Sequence, residues 1–144
     1  MKCPACGMTI DTTNVLKTAK EAHALYLSAQ QQPSNRMQHL SKSLKLAEQC
    51  FFEWNTHISE IRDCLAKELA SRDQFDESAE MVFANYKITS LRFGRDSIEA
   101  ASELMKLAGL WSRIPGKENK SFTACRHATT ILNIFQFVKG EVQV

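Results

Sequence analysis

The chain has 144 residues and a formal net charge of only +2, so its overall charge does not by itself indicate nucleic-acid binding. A bilayer span needs about 18 consecutive apolar residues, and the sequence holds no such run. The N-terminus lacks the apolar core of a signal peptide. The sequence therefore predicts a cytoplasmic protein that does not associate with a membrane.

Glycine and proline are scarce, with 5 and 3 residues, which favours a few long helices over many short strands. The 5 cysteines are an odd number without secretory context, which argues against a disulfide framework and predicts reduced thiols. Charge is unevenly distributed, because the segment 73–112 is acidic and the segment 113–144 is basic.

The first predicted helix covers residues 12–31. Asp11 offers an N-capping carboxylate, and apolar positions alternate by four and three residues from Val15 to Ala29, which is typical of one helical face. Pro33 ends this helix, because the residue before a proline disfavours the helical conformation.

The second and third predicted helices, 36–70 and 75–111, form a long hairpin with its turn at 71–74. Neither glycine nor proline interrupts the second helix. In the third helix, three consecutive steps of four break the heptad register beside Gly94, which predicts local unwinding or a bend.

A Pro115-Gly116 loop precedes the fourth predicted helix, 121–139, for which Ser121 is a candidate N-cap. Helices with short connections favour an antiparallel arrangement. The predicted fold is therefore all-α, an antiparallel four-helix bundle built on the long hairpin and completed by oligomerisation. We expect one helical domain, 11–144, after an N-terminal Cys-x-x-Cys segment, 1–10.

The two shorter helices cover only part of the hairpin, which leaves its far portion, about residues 57–90, as an exposed two-helix arm. Large apolar side chains in water are unfavourable by about 1.5–3 kcal/mol each, so we expect a second copy of the chain to cover them. The alternative is a break near Gly94 or Ser71 that folds the arm back onto its own core. The predicted interface of a homodimer or higher homo-oligomer consists of Ile58, Ile61, Leu65, Leu69, Phe75, Met81, Val82, Phe83 and Tyr86.

The Cys3-Pro4-Ala5-Cys6-Gly7 stretch is a candidate metal site. A Cys-x-x-Cys turn brings two thiolates to one side of a tight loop, as tetrahedral zinc requires. Cys3 and Cys6 are thus candidate zinc ligands, with Cys64 or His57 as a candidate third ligand. Two such pairs from different subunits are another way to complete the site, and a metal-free N-terminus is the alternative.

A basic segment follows the third predicted helix and contains Arg113, Lys117, Lys120 and Arg126. These four side chains are candidate contacts to nucleic-acid phosphates or to an acidic partner. The other interpretation is an ordinary solvated loop.

No catalytic arrangement is evident, since the sequence has no glycine-rich phosphate loop and no nucleophile elbow. The sequence favours a non-enzymatic helical interaction or accessory protein that self-associates through its hairpin and binds a protein partner. The alternative is a nucleic-acid-binding regulator that uses the segment 113–126, with a zinc knuckle as an accessory. Zinc is the single cofactor the sequence suggests.

Overall fold

The computed structural model describes Lys2, residues 4–9 and residues 11–141, of which the last five are described by their backbone only. The described part consists of helices joined by turns and loops, with an isolated antiparallel bridge between Lys2 and Thr9 and no strand, so the predicted all-α class is confirmed. The six α-helices are α1 (Thr12–Gln31), α2 (Arg36–Cys50), α3 (Thr56–Ser71), α4 (Phe75–Phe93), α5 (Ile98–Trp111) and α6 (Glu118–Glu141).

These helices form two compact units, Met1–Ile61 and Arg62–Val144. Within the described part of the chain, no helix is both long enough and apolar enough to span a bilayer.

In the first unit, α1 and α2 pack closely against each other. Ala22 and Ala29 of α1 are fully buried, and such small side chains allow two helix backbones to approach. The hydroxyl of Ser43 on α2 donates a 2.6 Å hydrogen bond to the carbonyl oxygen of Ala22. The bounds predicted for the first helix are confirmed, with Asp11 accepting hydrogen bonds from the backbone N–H groups of Thr13 and Asn14.

The second predicted helix is not continuous, which corrects the sequence-based prediction. α2 ends at Cys50, and Phe51 takes an extended conformation with φ −111° and ψ 150°. The side chain of Asn55 then accepts a 2.9 Å hydrogen bond from the backbone N–H of His57, at the start of α3. An asparagine that caps a new helix competes with helix continuation, so the chain turns here without glycine or proline.

The third predicted helix is also divided in two, at the position where its register breaks. α4 ends at Phe93, and the next residue, Gly94, has a φ of 95° and a ψ of 155°, which are rare for residues with a side chain. Ser97 caps α5 by accepting a hydrogen bond from the backbone N–H of Ala100. The predicted disturbance beside Gly94 is thus confirmed, but the prediction of one continuous helix, 75–111, is wrong.

The predicted turn at 71–74 is confirmed between α3 and α4. Asp73 adopts a φ of 60°, and the backbone N–H of Gln74 donates to the carbonyl oxygen of Leu69, as at many helix C-termini. The hydroxyl of Ser78 on α4 donates a 2.7 Å hydrogen bond to the carbonyl oxygen of Ala66 on α3. The second half of α3 therefore packs against α4.

In the second unit, α5 packs against both α4 and α6. α6 begins at Glu118, three residues before the predicted start. Ser121 is therefore not an N-cap, and its hydroxyl donates a 2.7 Å hydrogen bond to the carbonyl oxygen of Ala108 on α5. The apolar cluster shared by α5 and α6 contains Ala101, Leu104, Ala108, Ala124, Ala128 and Ile131.

Candidate functional site

The Cys-x-x-Cys motif lies in a turn near the N-terminus. Residues 4–6 form this turn, Cys6 is exposed, and Gly7 has a φ of 71° that glycine adopts without strain. Cys3 lies outside the described residues. Among the residues that the structure describes, no group of three or more Cys, His, Asp or Glu side chains is arranged to hold a metal ion, so the zinc site stays a prediction.

His57, a candidate third ligand, belongs to a cluster of rings in the first unit. Its ring centroid lies 5.3 Å from that of His23, 5.4 Å from that of Tyr26 and 5.9 Å from that of Phe51. Its Nδ1 is 3.6 Å from a carboxylate oxygen of Glu60. Cys64, the other candidate, is partly buried further along α3.

The residues predicted to be exposed on an oligomer interface are mostly covered within one chain. Ile58, Ile61, Leu65, Leu69 and Val82 are buried. Phe75, Met81 and Tyr86 are partly buried, and Phe83 alone of the nine is exposed. The expectation that these side chains lie in water is therefore wrong for the five buried residues. The breaks at 51–55 and at Gly94 divide the predicted long hairpin into shorter helices, and these helices pack within one chain. Self-association itself stays a prediction.

The four basic side chains of the segment 113–126 do not line one surface. Lys117 and Lys120 line a cleft between α4 and α6. Arg113 lines a different, smaller hollow and lies 5.3 Å above the ring of Phe75. Arg126 is exposed and lines neither of these clefts.

The cleft between α4 and α6, here called the α4–α6 cleft, is an open concave site in the described second unit, with a volume of about 620 Å³. It opens because α4 and α6 both pack on α5 and flank it. Asp76 in the first turn of α4 accepts a 2.8 Å hydrogen bond from Lys117, which directly precedes α6. The two helices therefore begin at the same end of the cleft and run in the same direction.

Aromatic side chains form the floor of the α4–α6 cleft. The ring of Phe83 stacks near Tyr86 with centroids 6.2 Å apart and lies 6.4 Å from Trp111. Leu104 and Ala124 add aliphatic surface. Phe83 is 42% exposed, so part of this floor is open to an incoming group.

The two lips of the cleft carry opposite charges. Asp76 and Glu80 lie one turn apart on the α4 lip, whereas Lys117 and Lys120 lie on the α6 lip. The ammonium group of Lys120 is 5.9 Å from the centre of the Trp111 ring, within the range of a cation–π contact. The site thus combines an apolar floor with an acidic and a basic edge.

Each end of the cleft is bridged by a hydrogen bond between two side chains. Lys117 and Asp76 close one end at 2.8 Å. At the other end, His127, which lines the cleft, places its Nε2 3.0 Å from Oδ1 of Asp96 in the loop between α4 and α5. The Asp76 and Asp96 side chains are largely exposed, so both bridges are accessible to solvent ions.

Glu118, the first residue of α6, stabilises the turn that precedes this helix. Its carboxylate accepts a 3.2 Å hydrogen bond from the backbone N–H of Gly116. The backbone N–H groups of Glu118 itself and of Gly116 lower the pKa of this carboxyl, because they favour its charged form. Glu118 is thus an anionic cap that fixes the start of the basic lip.

The sequence identified the basic lip but missed the acidic lip and the floor as parts of one site. Asp76 and Glu80, which line the acidic lip, were not among the candidate site residues that the sequence indicated. Their four-residue spacing indicated a shared face, but Asp76 and Lys117 are separated by 41 residues. No local pattern predicts such a pairing. No protein-family model matches the chain, and comparison with curated proteins finds no match either.

Proposed function

We propose that the chain is a non-enzymatic interaction protein whose α4–α6 cleft binds an apolar segment of a protein partner. The observation that carries this proposal is the floor of Phe83, Tyr86 and Trp111, which lies in an open cleft of about 620 Å³. Partly exposed aromatic residues are the side chains that contribute most to protein interfaces.

A concave surface also argues for a different partner molecule rather than a symmetric copy. In a twofold-symmetric dimer the same surface meets itself. Two clefts facing each other would leave their volumes unfilled and their aromatic floors wet. A convex segment that enters the cleft removes this apolar surface from water.

The test is selection of binding peptides from a random display library on the immobilised full chain. Thr123 is exposed on α6 and lines the cleft, so Thr123→Trp should fill the cleft without disturbing the core. Thr129 is exposed on the same helix and is not part of the lining, so Thr129→Trp is the matched control.

We expect the selected peptides to bind the unmodified chain and the Thr129→Trp variant with equal affinity. Their affinity for Thr123→Trp should be at least about tenfold lower, which is the loss typical when a central contact is blocked. Circular dichroism of both variants checks that the helices are retained. Failure to select any peptide, or equal binding to both variants, would refute the proposal.

Nucleic-acid binding is the second candidate function, and one observation favours it. Lys117 and Lys120 lie beside Phe83 and Trp111, and proteins that bind single-stranded nucleic acids combine basic side chains with aromatic rings on which bases stack. Against it, Asp76 already pairs with Lys117, and Glu80 would repel a phosphate. A mobility shift with single-stranded DNA and RNA at low salt tests this function, and the absence of a shift would exclude it.

The predicted zinc ion and self-association belong to this proposal as accessory features. The Cys3 and Cys6 thiolates are the proposed ligands, with a second subunit or a further side chain to complete the site. Neither feature is needed for the α4–α6 cleft to bind its partner, so each is tested separately.

A further inference from the structure

We infer that the segment bound in the α4–α6 cleft is an amphipathic α-helix of about three turns, with acidic side chains along one flank and basic side chains along the other. This inference rests on the proposed function, since it specifies the partner of the same cleft. Three properties of the cleft support this inference, namely its length, the arrangement of its helical walls and the charges on its two lips.

The length of the cleft matches a short helix. Its α4 wall extends from Asp76 to Tyr86 and its α6 wall from Lys117 to His127. At about 1.5 Å per residue, each wall is about 15 Å long, which is the length of a helix of about ten residues. Three large apolar side chains spaced by three and four residues extend over about 10.5 Å, so they fit between the two end bridges.

The arrangement of the walls also favours a helix over an extended peptide. α4 and α6 run in the same direction on either side of α5, and a further helix laid between them extends the helical packing of this unit. An extended peptide that binds by strand addition needs an exposed sheet edge. The part of the chain that the structure describes contains no sheet to which a strand could add.

The charges that remain available on the lips specify the flanks of the partner helix. Lys117 already pairs with Asp76. Glu80 on the α4 lip is exposed and has no ion-pair partner among the described side chains, and Lys120 on the α6 lip contacts the Trp111 ring. A bound helix therefore satisfies both lips when a basic residue faces Glu80 and an acidic residue faces Lys120.

The dipoles of the two walls favour one direction of the bound helix. α4 and α6 both begin at the Lys117 end, and helix N-termini carry partial positive charge. The negative C-terminus of the partner is favoured at that end, so the partner runs antiparallel to α4 and α6 and in the same direction as α5.

The experiment uses synthetic 12-residue peptides with three leucine anchors and matched composition. One peptide has a basic and an acidic flank, a second has two acidic flanks, and a third carries the split flanks with a central proline that prevents the helix. A peptide with its flanks exchanged is not informative, because it can bind in the reverse direction. Affinity is measured by fluorescence anisotropy against the full chain and against Glu80→Lys, Thr123→Trp and Thr129→Trp.

We expect the split-flank peptide to bind the unmodified chain best, by roughly two- to fivefold over the doubly acidic peptide, the size of one exposed charge pair. Glu80→Lys makes both lips basic and should reverse this preference. The proline peptide should lose binding to every variant, and Thr123→Trp should weaken all peptides while Thr129→Trp does not.

Three outcomes would overturn the inference. If the peptides bind Glu80→Lys in the same order of affinity as the unmodified chain, the charges on the lips of the cleft do not determine which flank charges the partner helix needs. If library selection yields binders without helical spacing, or the proline peptide binds equally well, the partner is not a helix, although the proposed function stands. If light scattering shows a dimer that Thr123→Trp dissociates, the occupant is a second copy of the chain.

Discussion

Serine hydroxyls link neighbouring helices in the part of the chain that the structure describes. Ser43, Ser78 and Ser121 each donate a hydrogen bond of 2.6–2.7 Å to an alanine carbonyl oxygen on the adjacent helix. In each pair a small residue faces a small residue, so the two backbones approach closely. The sequence did not reveal this role, because a serine within a helical pattern is equally consistent with a solvated position or a cap.

Replacing Ser43 by alanine should lower the free energy of unfolding by about 0.5–1.5 kcal/mol, the usual contribution of one buried hydrogen bond. Ser71 is the matched control, since its hydroxyl donates to the carbonyl oxygen of Glu68 in the same helix and is exposed. Urea denaturation of Ser43→Ala and Ser71→Ala measures both effects. Equal stability of the two variants would contradict the role assigned to Ser43.

Lys106 joins two helices through carboxylates, with its ammonium 2.7 Å from Asp63 on α3 and 2.9 Å from Glu103 on α5. Partial burial is the largest single influence and by itself lowers the pKa of Lys106. The hydrogen bonds and charges of Asp63 and Glu103 together outweigh it and raise that pKa above its ordinary value of 10.5.

The raised pKa of Lys106 determines how its contribution to the stability of the fold depends on pH. Because the folded chain holds the Lys106 proton more tightly than the unfolded chain, the stabilising contribution is complete below the ordinary pKa of 10.5 and is lost as pH rises through the raised value. We expect Lys106→Met to lower stability by roughly 0.5–1 kcal/mol at pH 7, since the pair is partly exposed. In urea denaturation the difference between the two proteins should shrink above pH 10.5, and a constant difference would refute this assignment.

Cys6 provides the test of metal binding. If the predicted thiolate site forms, protein purified without added metal should contain zinc, and Cys6→Ser should remove it, because two-thiolate ligation is lost. Cys125, which is also exposed, is the matched control, and Cys125→Ser should retain the metal. Elemental analysis that finds no zinc in the unmodified protein would remove the hypothesis.

At the scale of whole elements, glycine and capping residues divide the two long predicted helices. The sequence predicted α1, the turn at 71–74 and a disturbance at Gly94, because each has a local signal such as a capping aspartate, a polar cluster or a register break. It did not predict the break at 51–55. There the apolar pattern continues through Phe51 and Ile58, and only the capping of α3 by Asn55 and the packing of shorter helices favour the turn.

Gly94 is the residue at which α4 must end, and its φ of 95° predicts the effect of a side chain. Nothing lies within 4 Å of an added Cβ, so the cost of Gly94→Ala is backbone strain alone, about 1–3 kcal/mol. Gly109 lies inside α5 with equally open space, and Gly109→Ala should instead stabilise by about 0.5–1 kcal/mol. Thermal denaturation of both variants should give shifts of opposite sign, and two shifts of the same sign would contradict this account.

For the whole molecule, the division into shorter helices weakens the original reason to expect an oligomer. Ile58, Ile61 and Leu65 were expected on the surface, and the single chain buries them. Self-association stays a prediction that size-exclusion chromatography with light scattering tests. A dimer at micromolar concentration would support it, and a monomer of 16.3 kDa would refute it.

The binding site could be predicted only in part, because its two lips come from distant segments. The charge distribution of the sequence indicated an acidic segment, 73–112, followed by a basic segment, 113–144, but not which residues of the two segments face each other. Their pairing depends on α5 lying between α4 and α6, which is a property of the folded chain. The same holds for the floor, since Phe83 on α4 and Trp111 on α5 come together only when these two helices pack against each other.

The order of helix packing also determines how the chain can fold. The helix pairs that pack most extensively, α1 with α2, α4 with α5 and α5 with α6, are neighbours along the sequence. Mostly local contacts require little loop closure, so we expect low contact order and folding in roughly microseconds to milliseconds. The α1–α2 pair needs only the first 50 residues. A nascent chain can therefore form it on the ribosome before the aromatic floor of the cleft has been synthesised.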